Sequence, residues 1–149
     1  MPQNFCVRFG DANHGWLPVK LITNKEEFLF TASYVPYDSL SELVEALSLF
    51  LRTGASKLVR WNTEPIEYEF VLSEYAEQAR LEVFEYPGSQ RIQGTGKAVF
   101  EFSGSRKSLI VPFWPALRDL ETRVGFEQQW QRSLPKHKMQ LLGQQIDKL

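Results

Sequence analysis

Apolar residues recur along this chain with two periods, and the change from one to the other divides it into elements. Phe5, Val7 and Phe9 alternate with Asn4, Cys6 and Arg8; Leu17, Val19 and Leu21 repeat the alternation, as do Phe28, Phe30, Ala32 and Tyr34. Period two puts every second side chain on one face, so three half-buried strands are predicted, joined by turns at residues 10–15 and 23–25. Pro36 closes the third, because a strand interior cannot spare an amide hydrogen. The period then becomes 3.6: Leu40, Leu43, Val44, Leu47, Phe50 and Leu51 form one apolar stripe of a helix over residues 38–52. Ser39 and Glu42 stand at the spacing of a capping box, Asp38 adds negative charge at the positive end of the helix dipole, and Gly54 suits a left-handed stop.

Period two returns near residues 57–62, 66–72, 80–86 and 97–102, with short connections that favour an antiparallel meander. The last third is helical. Leu109, Phe113, Leu117, Leu120 and Val124 keep helical spacing, and Pro112 and Pro115 delay the regular helix to residues 115–124. Gly125 breaks it, residues 126–132 read as a short helical turn, and Ser133 before Pro135 reads as the cap of a final helix through Met139, Leu142 and Ile146. The expectation is a single α+β domain over residues 1–149. It has an antiparallel meander of six to seven strands, one helix inserted after the third strand, and two to three C-terminal helices packed on one face.

A chain of this length buries roughly 70% of its unfolded surface and needs no staple. Cys6 is the single cysteine, and residues 1–10 lack the basic segment and apolar core of a signal peptide, so a reducing cytoplasm is expected. The longest nearly uncharged apolar run, residues 109–117, carries two prolines. It falls far short of the roughly 20 residues that span a bilayer, so no membrane segment is expected. Net charge is −1, but residues 105–149 hold eight basic side chains against four acidic ones while the preceding strands are acidic. That balance gives no strong signal for nucleic acid.

Motifs for catalysis are weak. Gly94-Thr95-Gly96-Lys97 suggests a phosphate loop, but Arg91 stands where the first glycine belongs, Ala98 replaces the metal-binding hydroxyl, and a strand follows instead of a helix. His14, His137 and Cys6 lie far apart without ligand spacing, so neither a metal nor a cofactor is expected. Asp11, Asn13 and His14 read as a polar hairpin tip, and no nucleophile elbow occurs. The four tryptophans read chiefly as core. Glu67 and Glu69 point to one side of their strand, opposite Tyr68, Phe70 and Leu72, and Glu82 and Glu101 occupy similar outward positions. These four carboxylates describe a solvated acidic sheet face or, more sharply, a surface for a basic partner.

Residues 31–47, with the L-x-x-L-V-x-A helix, and residues 60–70, where Trp61 precedes a Glu-Pro hairpin, together with the Pro-Phe-Trp-x-Ala-Leu segment at residues 112–117, resemble a group of small, uncharacterised bacterial α+β proteins. That group has a general likeness to immunity proteins of bacterial toxin systems, which act by binding. The resemblance implies an unknown or partner-binding role and carries over no catalytic residues. Together with the acidic strands and the Trp61 hairpin, it makes a non-enzymatic protein-binding module the leading reading, with Trp61, Glu64, Glu67, Glu69, Glu82 and Glu101 as candidate contacts for a basic protein. The alternatives are a small-molecule sensor or enzyme with a pocket between sheet and helices, and an oligomeric protein using an exposed sheet edge.

Overall fold

The computed structural model describes residues 4–149; residues 1–3, part of the segment read above for a leader, lie outside the described residues. Among the described residues, seven strands follow one another in chain order through one antiparallel sheet. They are β1 (Phe5–Phe9), β2 (Trp16–Thr23), β3 (Glu27–Ser33), β4 (Lys57–Asn62), β5 (Glu67–Tyr75), β6 (Gln78–Tyr86) and β7 (Lys97–Gly104). Helix α1 (Ser39–Thr53) follows β3, and α2 (Arg106–Ile110), α3 (Phe113–Thr122), α4 (Phe126–Trp130) and α5 (Lys136–Asp147) follow β7. The chain thus forms the α+β meander that its two periods predict. No described helix is long and apolar enough to cross a membrane.

Between β3 and β4 the sheet is barely joined. Ser33 and Asn62 make the one pair described between them, and beyond it α1 lies against the edge of β4. The Ser39 hydroxyl donates to the Arg60 carbonyl at 2.5 Å, and Glu42 Oε1 accepts the Arg60 N–H at 3.1 Å. Two helix side chains therefore do for β4 what a neighbouring strand would do, because an enclosed backbone group without a partner is costly. The expected capping box is corrected accordingly. Asp38 is the cap, accepting from the Ser41 amide at 3.3 Å, while Ser39 and Glu42 are committed to β4. Gly54 ends the helix at φ 69°, and its N–H reaches the Phe50 carbonyl at 2.8 Å.

The sheet curls until its halves face one another. Phe5 stacks on Phe102 with centroids 5.0 Å apart, Phe28 meets Tyr68 edge-on at 5.1 Å, and Phe30 meets Trp61 at 5.4 Å. Leu40, Leu43, Val44, Leu47 and Phe50 of α1 enter this core, and Leu109, Ile110, Phe113, Leu117 and Leu120 enter it from α2 and α3. Helix α3 starts at Phe113, earlier than expected. Pro112 precedes its first residue and Pro115 lies in its first turn, where amide hydrogens have no intrahelical partner to lose. It stops at Thr122, leaving Val124 fully exposed and off the apolar stripe. Ser133 is not the final cap: α5 begins after Pro135 with no side-chain cap bond, and Leu134 packs into the core instead. Helix α5 joins α1 through Ser48, whose hydroxyl donates to Gln145 Oε1 at 2.6 Å.

Candidate functional site

Three connections converge at one end of the sheet: residues 34–38 between β3 and α1, residues 63–66 between β4 and β5, and residues 87–96 between β6 and β7. Register brings them together. Glu67, the first residue of β5, lies opposite Asn62 on one side and Tyr86 on the other; two residues along, Glu69 lies opposite Arg60 and Phe84. Alternation turns these side chains away from the aromatic core, as the sequence predicts.

They are not solvated. Glu67 is 2% exposed, and Glu69 is half-buried. The 87–96 connection folds back over the sheet and delivers Arg91, whose Nη1 donates to Glu67 Oε1 at 2.6 Å and whose Nε pairs with Glu69 Oε2 at 3.0 Å. The 34–38 connection delivers Tyr37, whose hydroxyl donates to Glu67 Oε1 at 2.8 Å. Its ring lies 4.2 Å from the Arg60 guanidinium carbon and 5.4 Å from that of Arg91. Arg60 is held from the far side by Glu42 Oε2 at 2.6 Å. Asn62 Nδ2 donates to the Val35 carbonyl at 2.7 Å, and its Oδ1 accepts the Glu64 N–H at 3.0 Å. At Gly96 the returning loop passes so close to Tyr86 that a Cβ would lie 2.6 Å from the ring. Glycine is required there for clearance.

The electrostatics follow from this packing. Burial pushes the Tyr37 phenol above its ordinary value, and the bond to Glu67 pushes in the same direction, while Arg91 and Arg60 oppose it. Burial likewise raises Tyr86, helped by the Glu69 charge and a hydrogen bond to that carboxylate. The hydrogen bond that Arg60 donates to Glu42 holds the guanidinium in its charged form beyond the usual range. Both carboxylates already accept charge-assisted bonds, so the assembly is suited to gripping a guanidinium.

The expected contact residues separate under this geometry. Trp61 is fully buried, with its indole nitrogen lacking a hydrogen-bond partner, so it is core and not surface. It shares the inner row with Val59, against Phe30 and Phe70. Glu64 is exposed at the hairpin tip. Glu82 and Glu101 do face outward, but both pair with Arg80, at 3.5 and 2.9 Å. In the acidic face read from the sequence, each pair of glutamates therefore shares one arginine, which offsets half of its charge. Tyr37, Tyr86 and Arg91 went unread as site residues; the one available signal was an arginine in the long connection that follows two outward glutamates. His14 and His137 are both exposed, one at the β1–β2 turn and the other on α5.

The space between sheet and helices is filled by Phe50, Trp61, Phe70, Phe102 and Phe113, all nearly inaccessible. Larger clefts lie at the surface: one of about 780 Å³ between α3 and α5, lined by Trp114, Arg118 and Lys136, and an apolar one of about 470 Å³ where β1 meets Pro112 and Pro115. Comparison with protein-family models, curated proteins and solved structures finds no match.

Proposed function

We propose that this chain is a non-enzymatic protein-binding domain of the immunity-like kind, acting in a bacterial cytoplasm through the loop end of its sheet. One observation carries the reading. The three laced connections hold exposed apolar side chains, Val35, Ile66 and Ile92, the last 69% exposed, around a buried polar network. Apolar groups exposed together on the loops at one end of a sheet are suited to contact, because a partner that covers them removes apolar surface from water. The filled interior favours this reading over a small-molecule pocket.

The test is co-purification from the native host. The tagged protein is expected to retain one partner at stoichiometric yield, as should Leu29→Asp, which changes an exposed leucine on β3 away from the three connections. The triple variant Val35→Asp, Ile66→Asp, Ile92→Asp should lose it while remaining folded. Equal capture by the triple variant, or no stoichiometric partner at all, refutes the proposal.

A further inference from the structure

We propose that the recess formed by Tyr37, Glu67, Glu69 and Tyr86 is an arginine-binding site that Arg91 fills from within, and that an arginine from a basic protein segment replaces Arg91 when the β6–β7 connection lifts. The inference rests on the protein-binding reading above and names the chemistry of the partner.

Geometry singles out a guanidinium. Nη1 and Nε–H point in different directions within the plane of the Arg91 head, and they meet oxygens of two different carboxylates at 2.6 and 3.0 Å, with the Tyr37 ring 5.4 Å away. An ammonium is a compact point charge without nitrogens set apart in a rigid plane, so lysine cannot reproduce the arrangement. The recess is also dry: the side chains of Glu67, Glu69 and Arg91 are 3%, 13% and 15% exposed. Leaving those carboxylates unpaired would be strongly unfavourable, whereas exchange of one guanidinium for another leaves the charge balance of the recess unchanged.

The occupant is placed to leave. Residues 87–96 form neither helix nor strand. Among the described residues, the side-chain bonds that tie this connection to the sheet are those of Arg91, while Thr95 bonds locally to the Ile92 carbonyl. Gly94 sits in open space at φ 83°. Lifting the connection therefore breaks one anchor, and the incoming arginine restores the same bonds.

The experiment uses Arg91→Ala with N-butylguanidinium as probe and N-butylammonium as control, at concentrations well below those that denature. Melting temperature and the ring resonances of Tyr37 and Tyr86 are followed. Saturable recovery of the melt and movement of both rings are expected with the guanidinium alone, and the native protein should need at least about tenfold more probe because Arg91 competes. Glu67→Gln in the same background should abolish the response. No saturable change, an equal response to both cations, or a response that survives Glu67→Gln overturns the proposal. If Arg91→Ala does not fold, the native protein is titrated with an arginine-bearing peptide and its lysine counterpart while the Arg91 Nε–H resonance is observed. Displacement by the arginine peptide alone supports the site; an unmoved resonance overturns it. Failure here leaves the contact role of Val35, Ile66 and Ile92 standing. Intact guanidinium binding with no partner captured sinks that role and spares the recess.

Discussion

Replacing Glu42 by alanine removes two interactions at once, the acceptor for the Arg60 amide at 3.1 Å and the carboxylate that pairs with the Arg60 guanidinium at 2.6 Å. A hydrogen bond from backbone to a charged acceptor is worth about 1.5–3 kcal/mol, toward the low end here because Glu42 is one-quarter exposed. The ion pair, with Arg60 41% exposed, adds no more than about 1 kcal/mol. The expected loss is about 2 kcal/mol by urea unfolding. Glu45, one residue short of a turn further along the same helix, pairs with Lys138 in the open, and its alanine variant should cost under about 0.5 kcal/mol. A capping-box glutamate would meet neither group of Arg60, whereas this carboxylate meets both its amide and its guanidinium. The double-mutant cycle of Glu42→Ala with Arg60→Ala should therefore show a coupling of about 0.5–1 kcal/mol. Additivity within about 0.3 kcal/mol would refute the ion pair, and a Glu42→Ala cost no larger than that of Glu45→Ala would refute the assignment of α1 as the substitute neighbour of β4.

Three further outcomes follow from the same geometry. Leu47 is fully enclosed, so Leu47→Ala should lower the urea-derived stability by about 2–5 kcal/mol; a loss under 1 kcal/mol would mean the buried face of α1 is misplaced. Arg123 donates to the Phe9 and Gly10 carbonyls at 2.8 and 2.6 Å and pairs with Asp119, and it supplies Gly10 with the bond that Pro18 cannot donate. Arg123→Lys cannot span all three groups, so a loss of about 1–2 kcal/mol with faster amide exchange at the end of β1 is expected; native exchange there would contradict it. Burial above all raises Tyr37, Tyr68 and Tyr86. The folded state thus holds their protons more tightly than the unfolded one. The stability they supply is complete below the ordinary tyrosine value of about 10 and is lost as pH climbs through the raised values. Phenolate absorbance should rise late and together with unfolding, and early titration of these three in folded protein would refute it.

The helix stripe and the strands were legible because each depends on a local period. Residues 57–62 predict β4 in spite of the exposed Leu58, and period two already set Trp61 in phase with buried Val59. Glu67 and Glu69 show the limit. Alternation tells which side of a sheet a residue faces, never what lies over that side, and Arg91 arrives from more than twenty residues away in sequence. The β5–β6 turn was illegible for another reason. Ala76 and Glu77 both adopt positive φ, 51° and 65°, without the glycine or asparagine that announces such a turn, so long ladders on either side impose it. Ser39 and Glu42 matched a local motif, and a distant strand edge with enclosed, unpaired groups outcompeted it.

The lone pairing of Ser33 with Asn62 makes the sheet a jointed plate. Every other pair of neighbouring strands is zipped along its length, so β1–β3 and β4–β7 form two hydrogen-bonded ladders that share one core, with α1 as the pin between them. Amide exchange is expected to resolve two protected blocks that open separately, and one uniform rate across β3 and β4 would show a rigid plate instead. Val35 and Ile66 straddle this joint, one from each half. A molecule that grips both would splint it, and tightness of grip and stiffness of the whole sheet would then rise together.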